Sequence, residues 1–159
     1  MRVSTNAGCD SMPLPRFMPD TNCIVALLSP RHEHHERAIA EMERRLDDGE
    51  TLVVAAPTLV ETYSVLTRLP APHRLSPVDC RALIEANFSP DTAEVVALSA
   101  DGYRRLIHDA PASNLSGGRV YDAVIAACAR SGHVDTLLTF NERHFALFGG
   151  KDLAIVAPS

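Results

Sequence analysis

The chain has little of what marks the easily classified proteins. No apolar run approaches the roughly 18 residues needed to cross a bilayer, so no membrane span is expected. The opening segment "MRVSTNAGCDSMPLPRF" has no apolar signal core, which points away from secretion and toward the cytoplasm. Cys9, Cys23, Cys80 and Cys128 are scattered and form no C-x-x-C pair. Cys23 and Cys128 lie among apolar residues, as small buried thiols do in a reducing compartment. Neither G-x-G-x-x-G nor G-x-x-x-x-G-K-[ST] occurs, which excludes Rossmann-type dinucleotide binding and the P-loop. Positive charge is scarce: 15 Lys and Arg stand against 20 Asp and Glu, for a formal net charge of −5. A broad basic surface is therefore not expected. An acidic metal-binding site would itself add to that balance.

What is present is an ordinary globular composition, 46% hydrophobic with a mean hydropathy of −0.01. A chain of 159 residues is expected to fold as one domain burying roughly two-thirds of its unfolded surface. Residues 1–16 precede the first element and are expected to be a mobile extension, leaving 17–159 as the domain. Strand and helix signals then alternate. Phe17–Met18 ends a first strand, and Asn22–Leu28 reads as a short helix. "SPRHEHHERAIAEMERRLDDG" reads as a long one, with Ser29 as cap, Pro30 first and Gly49 as the stop. Its apolar residues Ile39, Met42 and Leu46 recur at helical spacing, and His32, His34 and His35 read as a solvated face. A continuous apolar run predicts a strand at Leu52–Ala56, followed by the helix "TLVETYSVLTRL". Ser76 and Pro77 open the next helix. "AEVVAL" is a strand, "SADGYRRLIHDA" a helix, "VYDAVIAACARSG" another, "DTLLTF" a strand, "NERHFALF" a helical turn or two and "LAIVA" a last strand. Strands apolar on both faces, alternating with helices, predict a parallel sheet covered by helices.

In such sheets ligands gather at the carboxyl ends of the strands, where strand order reverses. Asp20 lies just past the first strand and Asn141 just past "DTLL", so neighbouring strands would bring them to one crevice. Glu61 and Asp122 are candidates for the same place. Each acid has a structural reading as well. Asp20 fits a helix cap. Glu61 follows Thr58 by three positions, as in a capping box. Asp122 fits a first-turn acid that complements the helix dipole. Clustered carboxylates repel one another and persist together around a cation, and all-oxygen ligands select Mg²⁺ or Mn²⁺ over zinc. A phosphatase of the haloacid-dehalogenase type would need D-x-D, and "DTN" does not supply it.

Taken in order, "PDTNCIVALL", "LVETYSVLTRL", "GGRVYDAVIAACARSG" and "DTLLTFNERHF" resemble the PIN domain, and in particular the VapC-type toxins of toxin–antitoxin pairs, over Phe17 to Ala157. The resemblance implies a three-layer α/β fold with a central parallel sheet of about five strands in the order 3-2-1-4-5. It also implies a divalent-metal-dependent endoribonuclease, homodimeric and silenced by a VapB-type antitoxin. By that match Asp20 and Asp122 would carry Mg²⁺ (or Mn²⁺), and Glu61 would complete the catalytic cluster. Thr139 and Asn141 would occupy the family's T-x-D position, where many members have an acid and this chain has an amide. With no Lys near these motifs, Arg119 or Arg143 would help neutralise phosphate. Arg68, His73, Arg74 and Arg81 form a candidate RNA-contacting rim. The competing reading is a catalytically weak PIN fold that binds RNA or a protein.

Overall fold

The computed structural model describes residues 12–159. Most of the expected mobile extension, residues 1–11, therefore lies outside the described residues. Residues 12–15 have no regular structure, although the Pro15 carbonyl accepts a hydrogen bond from the Thr51 amide at 2.8 Å. The first strand, β1, spans Arg16–Pro19. It is followed by α1 (Thr21–Leu28), α2 (His35–Asp47), β2 (Thr51–Ala55), α3 (Ala56–Arg68) and α4 (Pro77–Asn87). Then come β3 (Glu94–Val96), α5 (Ala100–Asp109), α6 (Arg119–Ser131), β4 (Thr136–Leu138), α7 (Glu142–Phe145) and β5 (Ala154–Val156). The five strands are all parallel, in the order β3-β2-β1-β4-β5. Among the described residues no helix is long and apolar enough to cross a membrane.

The sheet is buried on both faces because its central strands are apolar at every position after their first residues, Arg16, Thr51 and Thr136. Successive side chains on a strand point to opposite sides, and the core divides accordingly. Phe17, Leu52, Val54 and Leu138 pack on one face with Ile24 of α1, Met42 of α2 and Leu66 of α3. Met18, Val53, Ala55 and Leu137 pack on the other with Ile125, Cys128 and Ala129 of α6 and Phe145 of α7. The small residues of α6 let that helix lie close to the sheet. Local signals set several helix ends as expected. Ser76 caps α4 by accepting from the Asp79 amide at 3.1 Å, with Pro77 following in the first turn. Gly49, at φ +81°, takes the left-handed conformation that ends α2.

The start of α2 differs from the sequence reading. Ser29 is the C-cap of α1, residues 30–34 form turns, and the helix begins at His35. Helices α1 and α2 pack on each other, so the chain must reverse here. The reversal is held by His32 N–H to the Ser29 carbonyl at 2.8 Å and by the His35 ring on the Ala26 carbonyl at 2.8 Å. The histidines are consequently not a solvated face: all three are half-buried, and His34 stacks on Phe140 with centroids 4.3 Å apart. The strand boundaries also shift by a residue or two at each end, because pairing with the neighbouring strand sets them.

The far end of α2 is fixed by buried charge. Arg45 Nε donates to Glu41 Oε1 at 2.7 Å and Arg45 Nη1 to Glu50 Oε2 at 2.8 Å, while its guanidinium lies over the Phe17 ring. Arg44 Nη2 also donates to Glu41 Oε1 at 2.8 Å. Burial raises the pKa of Glu41, but the hydrogen bonds and charges of Arg44 and Arg45 outweigh it and hold the carboxyl below its ordinary value. A carboxyl with a depressed folded pKa contributes stability above its unfolded pKa and loses it as pH falls through the folded value. Arg45→Met should cost about 3 kcal/mol in urea unfolding, since it leaves two acids short of their partner in the interior. Glu41→Gln should flatten the acid limb of the stability profile relative to the parent chain. An Arg45→Met chain as stable as the parent, or an unchanged acid limb, would show that the network contributes nothing.

Candidate active site

The order of the sheet places β1 between β2 and β4, and the reversal of strand order opens a crevice beyond their carboxyl ends. Asp20 is the first residue past β1, and its amide donates to the Leu138 carbonyl at the end of β4 at 2.9 Å. Its side chain is 2% exposed. Oδ1 accepts from the Cys23 amide at 2.8 Å, which makes Asp20 the N-cap of α1. Oδ2 accepts from the Thr139 hydroxyl at 2.6 Å. Thr139 Oγ1 in turn accepts from the Asn141 amide at 2.9 Å, so the segment after β4 is tied to the first acid. Cap and site are therefore not alternatives at Asp20, where each oxygen has its own task.

Glu61 lies in the second turn of α3 and is exposed at the mouth of the crevice. Its Oε2 accepts from the Thr21 hydroxyl at 2.7 Å, linking α3 to the first residue of α1. No capping box forms. Strand β2 passes into α3 without a loop, so Ala55 is the N-cap position and Thr58 already lies inside the helix, where its buried hydroxyl meets no partner. Asp122 occupies the first turn of α6, with its side chain 21% exposed. The three acids are electrostatically linked. Burial raises the pKa of Asp20, hydrogen bonds from Thr139 and Cys23 lower it, and the charge of Asp122 raises it, with a net upward shift. Asp122 is raised by burial, lowered by His144, raised by Glu61 and lowered by Arg119, again with a net upward shift. Both carboxyls are held toward the neutral form first by burial and then by a neighbouring acid's charge, Asp122 for Asp20 and Glu61 for Asp122, as at many functional sites.

The basic candidates separate. Arg119, the first residue of α6, is close enough to favour the charged form of Asp122. Arg143 is exposed on α7. Arg68, His73, Arg74 and Arg81 are not brought to the crevice. Helix α3 carries Arg68 two turns beyond Glu61, and the loop that follows borders Val25, Leu28 and Ser29 at the opposite end of α1 from Asp20, about 12 Å along the helix. Arg74 Nε instead donates to the Leu69 carbonyl at 2.8 Å, and Arg81 faces Glu85 at 3.9 Å. Two residues that motif reading passed over lie beside these acids, Thr21 and His144. Thr21 is the middle residue of "DTN", a hydroxyl beside the first acid. His144 stands one helical turn after Asn141, with Nδ1 3.6 Å from Asp122 Oδ2.

Among the described residues no three His, Cys, Asp or Glu side chains converge into a ready-made metal cage. The donor set nonetheless fits an open site for a hard divalent ion. Asp20 and Asp122 supply carboxylate oxygens from different elements, and Mg²⁺ binds through one or two carboxylates while keeping several waters. The raised pKa of Asp20 gives a test. A carboxyl whose folded pKa is raised destabilises the fold as pH climbs through the ordinary carboxylate range and up to the folded value. Asp20→Asn removes that penalty and keeps an acceptor for the Cys23 amide. It should raise the stability of the metal-free protein by about 1 kcal/mol at neutral pH, with the gain shrinking in acid. Unfolding curves that show Asp20→Asn destabilised at neutral pH would mean that capping outweighs charge.

Residues 17–151 match the PIN domain family. Ribonuclease VapC40 of Mycobacterium tuberculosis is 40% identical over 113 residues, which cover 71% of this chain and 78% of that protein. Among solved structures, VapBC2 from Rickettsia felis, bound to a DNA fragment from its promoter, superposes with a TM-score of 0.64 at 18% identity, over 91% of this chain and 99% of that one. A toxin–antitoxin complex from Klebsiella pneumoniae gives a TM-score of 0.55 at 19% identity, over 89% and 97% of the two chains. The sheet order, the acidic crevice at its switch point and these matches agree: the chain belongs to the PIN-domain family and is of the VapC type.

Proposed function

We propose that this chain is a divalent-metal-dependent endoribonuclease that acts in the cytoplasm as the toxin of a toxin–antitoxin pair. The observation that carries the reading is the pairwise coupling of Asp20, just before α1, with Asp122 of α6, and of Asp122 with Glu61 of α3, at the carboxyl ends of the strands. Burial and, to a lesser degree, neighbouring negative charge disfavour the ionised forms, and a bound cation would offset both. Identity to a ribonuclease over most of both chains supports RNA as the substrate class. Buried free thiols at Cys23, Cys80 and Cys128 suit a reducing compartment.

Asp20 and Asp122 are the residues that would hold Mg²⁺ or Mn²⁺. Such an ion, when bound, supplies positive charge against the scissile phosphate and a water of lowered pKa. The protein supplies the rest. Thr139 and the Cys23 amide fix the Asp20 carboxylate so that it does not reorganise during the reaction. Glu61, exposed and held by a single hydroxyl, is free to exchange Thr21 for the attacking water and take its proton at Oε. The 3′ oxygen departs in line with the attack. Arg119, at the mouth beside Asp122, contributes charge to the phosphate. Asn141 brings an amide in place of an acid and can orient a water without accepting its proton.

A VapB-type antitoxin is the expected protein partner, supported by the likeness to VapBC2 and to the toxin–antitoxin complex. A homodimer belongs to the same reading, and Val60 on α3 and Tyr121 on α6 are among the large apolar side chains left exposed. The discriminating experiment is cleavage of total RNA with Mg²⁺ and with chelator. Asp20→Asn and Asp122→Asn should abolish metal-dependent cleavage while remaining folded, and Glu61→Gln should lose about 10²-fold or more with little change in stability. Metal-independent RNA binding without cleavage would establish the non-catalytic module instead. Full activity in Glu61→Gln would remove Glu61 from the chemistry.

A further inference from the structure

Helix α6 carries more than Asp122. Arg119 and Ala123 stand one helical turn apart on one face, and Ala126, Ala127 and Arg130 follow them at helical spacing. From Ala123 onward that face lines a groove of about 460 Å³, which α5 borders with Arg105 and Leu106 and the segment after α7 borders with Phe148. The groove therefore begins at the residue after Asp122, with Arg119 one turn above it. Its charges are those of a site for anions. Arg104 is held by Asp101 at 2.9 Å, whereas Arg105 beside it enters no ion pair among the described residues. Arg130 donates through Nη2 to the Phe148 carbonyl, which ties the guanidinium to the groove and leaves its other donors open. The one acid on the lining, Asp109, already accepts from the His108 ring at 2.8 Å. Unanswered positive charge of this kind is conspicuous on a chain whose formal net charge is −5.

We propose that this groove holds a single strand of RNA to one side of the scissile phosphate, with Arg105 and Arg130 on its backbone phosphates. The proposal rests on the ribonuclease reading of the crevice and deepens it, by assigning where substrate lies beyond the reacting atoms. The guanidinium fork matches phosphate oxygens and stays charged at any working pH. Arg119 and Arg130 are about 16 Å apart along the helix, so their charges meet successive phosphates of one strand rather than a single group. Alanines between them bring the floor low enough for a sugar–phosphate backbone to approach, and the hydroxyls of Ser113 and Ser131 add donors at its margin. Phe148, half-buried on the lining, offers an aromatic surface for an unpaired base. An A-form duplex presents its phosphates on a broad convex surface and does not enter a groove of this size. Phosphate contacts carry no sequence information, so the groove supplies affinity for RNA and leaves the choice of cleavage site to the crevice.

The test uses the full chain, with binding of a single-stranded oligouridylate read by fluorescence anisotropy in chelator and cleavage of total RNA read with Mg²⁺. Arg105→Gln and Arg130→Gln should each weaken binding about fivefold near 0.1 M salt and lower the slope of log affinity on log salt by about 0.7. Cleavage by both should slow at low RNA concentration and recover at high, the mark of lost binding without lost chemistry. Ala127→Glu sets a charge of the phosphate's own sign on the floor and keeps a good helix former, so it should weaken binding further at an unchanged melting temperature. Arg81→Gln, on α4, should change nothing. Affinity and salt slope that stay at the parent's values in Arg105→Gln and Arg130→Gln overturn the proposal. So do variants that keep RNA and lose a co-purified antitoxin, which would make the groove a protein surface. If the parent binds the oligonucleotide but cleaves no RNA with Mg²⁺, the nuclease reading falls and the groove stands. If the parent cleaves and the arginine variants bind as it does, the groove alone falls, and if the parent binds no RNA both fall.

Discussion

A carboxylate kept almost wholly out of water needs each of its oxygens answered, and at Asp20 the two answers come from opposite ends of the fold. The Cys23 amide is three residues away on α1, whereas the Thr139 hydroxyl is 119 residues away at the end of β4. That second bond joins the strands on either side of the switch point through a side chain, beyond the last rung of their ladder. Everything else in the crevice is positioned relative to it. Thr139 directs Asn141, Asn141 opens α7, and α7 brings His144 to Asp122. On the other side Thr21, fixed as the first residue of the capped helix, reaches Glu61 on α3. If the Asp20–Thr139 bond were absent, the acids would still occur in the chain but would have no common origin.

The molecule treats its buried acids in two opposite ways. Glu41 is surrounded by arginines and held in its charged form, with its pKa lowered. Asp20 is given only neutral donors, faces another acid, and has its pKa raised. The first arrangement is complete as it stands, and it ties α2 to β1 and to the start of β2. The second is incomplete, because neutral donors orient a carboxylate without cancelling its charge. An interior acid that the protein has not neutralised is either a cost without return or a place for something positive. The scarcity of basic residues around the motifs, already visible in a net charge of −5, has the same meaning. The crevice does not supply its own counterions beyond Arg119 and His144.

Much of this was legible in the linear chain, because the signals involved are local. Apolar strands without alternation announce a sheet covered on both faces. Ser76 with Pro77, and Gly49 at a helix end, act through their own backbone conformations. The order of the short motifs, with Asp20 after the first strand and Asn141 after the fourth, carried the family and with it the strand order. Glu61 and Asp122 could be named as candidates but not assigned, since a capping box and a dipole-facing acid have the same residues at the same spacing.

The tertiary structure decided the rest, and for one physical reason: which side chains meet is set by how elements pack, not by how far apart they stand in the chain. A helix that starts directly at the end of β2 puts Thr58 inside it and frees Glu61 for Thr21, 40 residues away. The course of α3 brings the loop after it, with His73, to the far end of α1 from Asp20, so sequence proximity to a motif does not by itself place a residue beside the acids. The reversal between α1 and α2 turns histidines that resemble a solvated helix face into packing groups, one of them stacked on Phe140. His144 has no motif around it at all and acquires meaning only because α7 docks on α6. The sequence by itself determined the elements, the sheet and the acids that could take part. Only the packing determined which of those acids share a field, and which nitrogen stands beside them.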